Sequence, residues 1–174
     1  SEGAFWTILG GRQSGKSTAL TTAAYFLRRQ YPTQARVTLM PFRRGPLSRI
    51  KPGDEFLNLV MNPEAVVEVL NSFADTIQAK PEEMHILLID DLGLAFSSGN
   101  QGWIQALNQL GDRLNMITHD NFLIVVADLY SNLKSPQTYG SSFIKLFQQN
   151  QTGIFFSMDD ADMGWFNTRV SLHF

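Results

Sequence analysis

The sequence predicts an α/β domain: a mainly parallel sheet with helices on both faces. Three observations lead there. Short apolar runs of strand length alternate with longer stretches of helical periodicity. Two of the runs, at residues 86–89 and 122–126, are apolar without interruption, as strands covered on both faces are. A glycine-rich turn joins the first strand to the first helix, and such βα units cross over right-handedly between parallel strands.

The elements follow in order. Residues 4–9 form an apolar run closed by Gly10-Gly11, a buried strand entering a turn. A helix is expected over residues 17–30, stopped by Tyr31-Pro32 because the residue before proline is pushed out of the helical region. Residues 36–40 read as a second strand, and residues 41–53, rich in Pro, Gly and Arg, as a loop. Asn62 is a good N-cap with Pro63 at the first helical position, and Val66, Val67, Leu70, Phe73 and Ile77 recur at helical spacing behind it. The apolar strand 86–89 ends in Asp90-Asp91, and residues 93–100 read as a loop. Trp103, Ile104, Leu107, Leu110 and Leu114 mark another amphipathic helix, followed by the strand at 122–126. A helix near 141–149 and strands at 153–157 and 168–172 complete the expectation.

Bulk composition narrows the class. With 174 residues, 44% of them hydrophobic and 17% charged, the chain has the size and balance of one folded domain over residues 1–174, not of a disordered segment. It has no cysteine, which excludes disulfides and thiolate metal sites and allows a reducing cytoplasmic setting. A net charge of −2 lacks the basic excess needed to neutralise many duplex phosphates, so free-standing DNA binding is not expected. No stretch approaches the roughly 20 apolar residues of a membrane span, and Ser1-Glu2-Gly3 is not a basic and then apolar leader, so a soluble domain is expected. Starting without methionine, almost on a strand, the sequence is expected to be a piece of a longer polypeptide, with any membrane anchor outside it.

The chemistry concentrates in two places. Gly10-Gly11-Arg12-Gln13-Ser14-Gly15-Lys16-Ser17 fits the pattern G-x-x-x-x-G-K-[ST] between a strand and a helix, the context this phosphate-binding loop, the Walker A motif, requires. The string alone would arise by chance in on the order of one chain in a hundred, so the flanking elements carry much of the weight. Glycines let successive N–H groups face one concavity, and the helix start adds its positive dipole end. Lys16 is expected on the β- and γ-phosphates of ATP, the Ser17 hydroxyl on Mg²⁺, and Thr18 on a phosphate oxygen. The second place is Asp90-Asp91 at the C-terminal end of its strand, where α/β sheets bind ligands. Read as a Walker B motif, Asp90 holds Mg²⁺ through the ion's water shell and Asp91 orients or deprotonates the attacking water; the plainer reading is two acids opening a solvated loop.

Other residues are read as surface or core. Arg43 and Arg44, after Phe42, form a solvated basic loop in preference to a contact with a neighbouring nucleotide, and Arg113 is a helix-surface charge. His85, His119 and His173 lack ligand spacing, and Asp159, Asp160 and Asp162 lack the spacing of a calcium loop. The Trp, Phe and Met residues sit at core spacing.

With these motifs placed, the chain resembles an FtsK/SpoIIIE-type ATPase module, and more narrowly the tandem modules of the EccC/EssC ATPases of type VII secretion. Residues 11–20 resemble their nucleotide loop, Phe42-Arg43-Arg44-Gly45-Pro46-Leu47 their Arg-Arg loop, Leu88-Ile89-Asp90-Asp91 their Walker B strand, and the segment from Gly153 to Val170 the end of the last module. The resemblance implies a RecA-like core, adjacent ATPase modules of the same chain or oligomer as partners, a secreted protein as substrate, and membrane attachment through other parts of the full-length protein, on its cytoplasmic side. Related modules often carry Arg after the strand corresponding to 122–126; this chain has Asp128-Leu129-Tyr130, so the resemblance assigns no arginine finger here. It also implies that some modules bind ATP without turning it over. The alternatives are a DNA translocase motor and a non-hydrolysing regulatory and substrate-binding module.

Overall fold

The structure, a computed structural model, describes residues 5–53, 55–150 and 152–156. The expected strand at 168–172, the acidic turn at Asp159–Asp162, His173 and the last residue of the expected 153–157 strand lie outside the described residues.

Among the described residues six strands form one sheet: β1 (Phe5–Gly10), β2 (Ala35–Pro41), β3 (Leu57–Leu59), β4 (Met84–Asp90), β5 (Phe122–Asp128) and β6 (Gly153–Phe156). Their order across the sheet is β3-β2-β4-β5-β1-β6, and every pairing is parallel. β4 and β5 are central and read as unbroken apolar runs because both faces are covered. Alternation divides them: Ile86 and Leu88 of β4 join one apolar cluster, Leu87 and Ile89 the other.

On the first face lies α1 (Lys16–Gln30), packing Leu20 and Ala24 onto Ile8, Val37, Leu39, Leu88 and Ala127. Leu47 and Ile50, in and after a single 3₁₀ turn at Leu47–Arg49, close the same cluster. On the second face lie α2 (Pro63–Ala79), α4 (Gln101–Leu114) and α7 (Ser142–Asn150). The apolar stripe of α2, Val66-Leu70-Phe73-Ile77, is buried, as the helical spacing predicted. Each fully buried side chain of this kind contributes roughly 1.5–3 kcal/mol relative to exposure, so the stripe rather than helix propensity holds α2 in place.

Four short elements lie where no helix or strand was expected. Residues 93–100 do not remain a loop: α3 (Gly93–Ser97) forms there and buries Ala95 and Phe96. β3 adds an edge strand of three residues beside β2, and α5 (Tyr130–Leu133) and α6 (Pro136–Tyr139) fill the segment after β5. None is long enough to display a period of its own. Arg113 is also more than a surface charge, since it crosses from α4 to α2, donating to the Asn71 carbonyl at 2.7 Å and pairing with Asp75.

Candidate functional site

Strand register gathers the site. Pro41 of β2 stands opposite Asp90 of β4, Asp90 opposite Ala127 of β5, and Asp128 of β5 opposite Leu9 of β1. The C-terminal ends of four adjacent strands are therefore level, and the loops that follow them converge on one edge, where open parallel sheets place ligands.

The loop after β1 takes the conformation the glycine spacing called for. Gln13 and Gly15 have positive φ, 58° and 95°, and Gly15 hands the chain to α1 with its carbonyl accepting from the Ala19 N–H at 2.8 Å. Gly15 provides no capping side chain, so the first-turn N–H groups of α1 face the loop's concavity without a cap of their own. Ser14 Oγ is buried with no hydrogen-bond partner among the described residues, a polar atom awaiting an acceptor or donor in this loop. Lys16 is buried and folds back, donating from Nζ to the Gly11 carbonyl at 2.7 Å. Burial holds its ammonium below the ordinary lysine range, opposed by the attraction of Asp128, Asp91 and Asp90.

Ser17 and Asp90 meet. The Ser17 hydroxyl lies beside the Asp90 carboxylate and favours its charged form, bringing the loop motif to the end of β4. Asp90 is only 2% exposed, and burial raises its pKa, opposed by the Ser17 hydrogen bond and assisted by the neighbouring charge of Asp91. A cleft of about 750 Å³ opens over these groups, lined by residues 12–18 on one wall and by Arg43, Asp91, Leu129 and Asn132 on the other.

Asp91 lies in the cleft wall in the left-handed region, φ 57°, with its N–H bonded to the Ala127 carbonyl at 2.9 Å. Both its carboxylate oxygens are taken by Arg43, Nε to Oδ2 at 2.9 Å and Nη2 to Oδ1 at 3.2 Å. This corrects the reading of Arg43 as a solvated loop charge. Phe42 N–H donates to the Asp90 carbonyl at 3.0 Å and its ring packs edge-on against Trp103, so the β2–β4 ladder extends by one residue and delivers Arg43 beside Asp91. Only the strand register, invisible in the sequence, could have paired them.

Asp128 is the second functional residue that sequence reasoning left unassigned. Fully buried, it accepts from the Leu129 N–H at 2.6 Å, from Asn132 Nδ2 at 2.8 Å and from the Gly93 N–H. It therefore ties the start of α3, just beyond Asp91, to α5 at the cleft rim. Burial pushes its pKa up to about 6 in spite of these three donors. Gly93 permits the approach, because a Cβ there would stand 2.5 Å from Asn132 Cβ. His85 lies elsewhere, buried with Nε2 at 3.2 Å from the Lys80 carbonyl. Among the described residues no three His, Cys, Asp or Glu side chains gather to hold a metal on their own.

No protein-family model matches the sequence, and no curated protein matches it by sequence. Solved structures do match. The cytoplasmic domain of the type VII secretion ATPase EccC of Thermomonospora curvata superposes with a TM-score of 0.71 over 92% of this chain at 15% identity, using 20% of its own length. A fragment of the same organism's EccC comprising ATPases 2 and 3, in complex with a signal sequence peptide, gives 0.70 over 92% at 16% identity and 31% of its length. The genome packaging NTPase B204 of Sulfolobus turreted icosahedral virus 2, in complex with AMPPCP, gives 0.55 over 98% at 12% identity and 84% of its length. The chain thus spans a fifth to a third of the EccC structures it matches. Its six-stranded parallel sheet has the fold of the P-loop ATPase domains of type VII secretion ATPases and of a viral packaging NTPase.

Proposed function

We propose that this chain is an ATP-binding module of a membrane-associated type VII protein-secretion ATPase, one domain over residues 1–174 of a longer multi-module protein. The observation that carries this reading is the cleft walled on one side by residues 12–18 of the glycine-rich loop and on the other by Arg43 and Asp91, with Ser17 beside Asp90 at the end of β4. Gly10 and Gly11 shape the loop, the backbone of residues 12–18 surrounds the phosphates of ATP, and Lys16 leaves the Gly11 carbonyl to pair with them. The donor set fits Mg²⁺: a hydroxyl and a carboxylate are hard oxygen ligands, and magnesium takes few protein ligands and completes its shell with phosphates and water. Ser17 would hold the ion directly and Asp90 through its water shell, and the bound ion supplies neutralisation of phosphate charge. Asp91 is placed on the cleft wall to orient or deprotonate a water. Adjacent ATPase modules and a secreted protein are the proposed partners, supported by the multi-ATPase, peptide-bound EccC fragment of the same fold. Membrane attachment, on the cytoplasmic side, is assigned to other parts of the protein; no helix of the described residues is long and apolar enough to cross a membrane.

Calorimetry with Mg-ATP on wild type and Lys16→Ala, with ADP release followed in the same samples, tests this. Wild type should bind and the variant should not; a wild type that binds nothing sinks the nucleotide reading. A second reading, a module that binds ATP without turning it over, requires that the Arg43 pair, which occupies both oxygens of Asp91, persist with ATP bound. It predicts binding without ADP release. A DNA translocase motor would instead show hydrolysis stimulated by added duplex, against the net charge of −2.

A further inference from the structure

We propose that Arg43 reads the γ-phosphate in this site: it pairs with Asp91 while the γ-position is empty and transfers to the γ-phosphate when ATP binds, releasing the carboxylate. The inference rests on the nucleotide reading above and adds to it the residue that distinguishes ATP from ADP.

Four observations carry it. Arg43 lines the same cleft as the phosphate loop, so its guanidinium and the loop address one space. The guanidinium makes a two-point contact with Asp91, the geometry in which arginine also grips phosphate, so the exchange preserves the number of bonds the fork makes. The loop is anchored on both sides of the arginine, by Phe42 bonded to the Asp90 carbonyl and by buried Leu47, while the Arg43 side chain itself is 66% exposed and free to swing. The Asp91 backbone is held by its N–H on the Ala127 carbonyl and its side chain is far less exposed than that of Arg43, so the cation and not the acid is the mobile partner. A terminal phosphate carries more charge than a carboxylate, and an ion pair this open to water is weakly held, so the γ-phosphate wins the guanidinium.

The test is calorimetry in Mg²⁺ with ADP and with non-hydrolysable AMP-PNP, on wild type, Arg43→Ala, Arg43→Lys, Asp91→Asn and the Arg43→Ala/Asp91→Asn pair. Losing charge-assisted bonds to one phosphate should weaken AMP-PNP roughly ten-fold in Arg43→Ala and leave ADP within about two-fold. Arg43→Lys, with the charge but not the fork, should fall between. Asp91→Asn, which frees the guanidinium beforehand, should tighten AMP-PNP only where Arg43 is present. An equal change for both nucleotides, no change for AMP-PNP, or tightening by Asp91→Asn that persists without Arg43 overturns the proposal while leaving the nucleotide site standing. A wild type that binds neither nucleotide removes the site and Arg43's role together.

Discussion

Asp128 holds a charge that folding makes expensive. In the unfolded chain it titrates near 3.8, and in the folded protein burial moves it to about 6. Between those values the unfolded state has lost a proton that the native state keeps, so ν_U is less than ν_N and stability falls as pH rises. The fall is complete above about pH 6 and is absent below about pH 4. A shift of this size corresponds to about 3 kcal/mol at most. Urea unfolding of wild type and Asp128→Asn across pH 4–7 should therefore show the variant gaining on wild type by up to that amount over the window, then holding level. A flat difference would mean that the carboxylate is ionised throughout in both states. The residue scale is also where legibility divides most sharply. Lys16 and Ser17 could be singled out because a fixed spacing between a strand and a helix marks them, and Asp90 because it closes an apolar strand. Arg43 with Asp91, and Asp128 with Gly93, are separated by 48 and 35 residues, and nothing local announces either pair.

Helices and strands were legible in proportion to their length. α2 displays its cap and stripe openly: Asn62 Oδ1 accepts from the Glu64 N–H at 2.9 Å and the Ala65 N–H at 3.4 Å, with Pro63 following it. Because the cap is exposed and local, Asn62→Ala should cost about 1 kcal/mol in denaturant unfolding, with an unchanged m-value and unchanged nucleotide affinity. A loss well above that would mean that the loop before α2 is held by the same side chain. α3 and β3 were missed for the opposite reason. α3 spans 5 residues and starts where Asp128, from another strand, accepts its Gly93 N–H; β3 spans 3 and exists by pairing with β2. Tertiary partners, not their own periodicity, make these segments regular.

At the scale of the molecule, the proposed nucleotide binding and folding share one equilibrium. A ligand that binds only the native state stabilises it by about 2.7 kcal/mol at a hundred times its Kd, so Mg-ATP should raise the thermal midpoint of wild type by several degrees and leave Lys16→Ala unmoved. Scanning fluorimetry with and without nucleotide checks this; equal shifts in both proteins would place binding elsewhere. The sequence by itself determined the α/β class, the central buried strands, the capped helix α2 and the spacing of the glycine-rich loop, because each is written in residues close together along the chain. The tertiary structure alone decided the sheet order β3-β2-β4-β5-β1-β6 and with it the meeting of Ser17 with Asp90, the capture of Asp91 by Arg43 and the burial of Asp128. Those outcomes depend on which strands lie side by side and in what register, a choice made by packing two apolar faces at once rather than by any one segment.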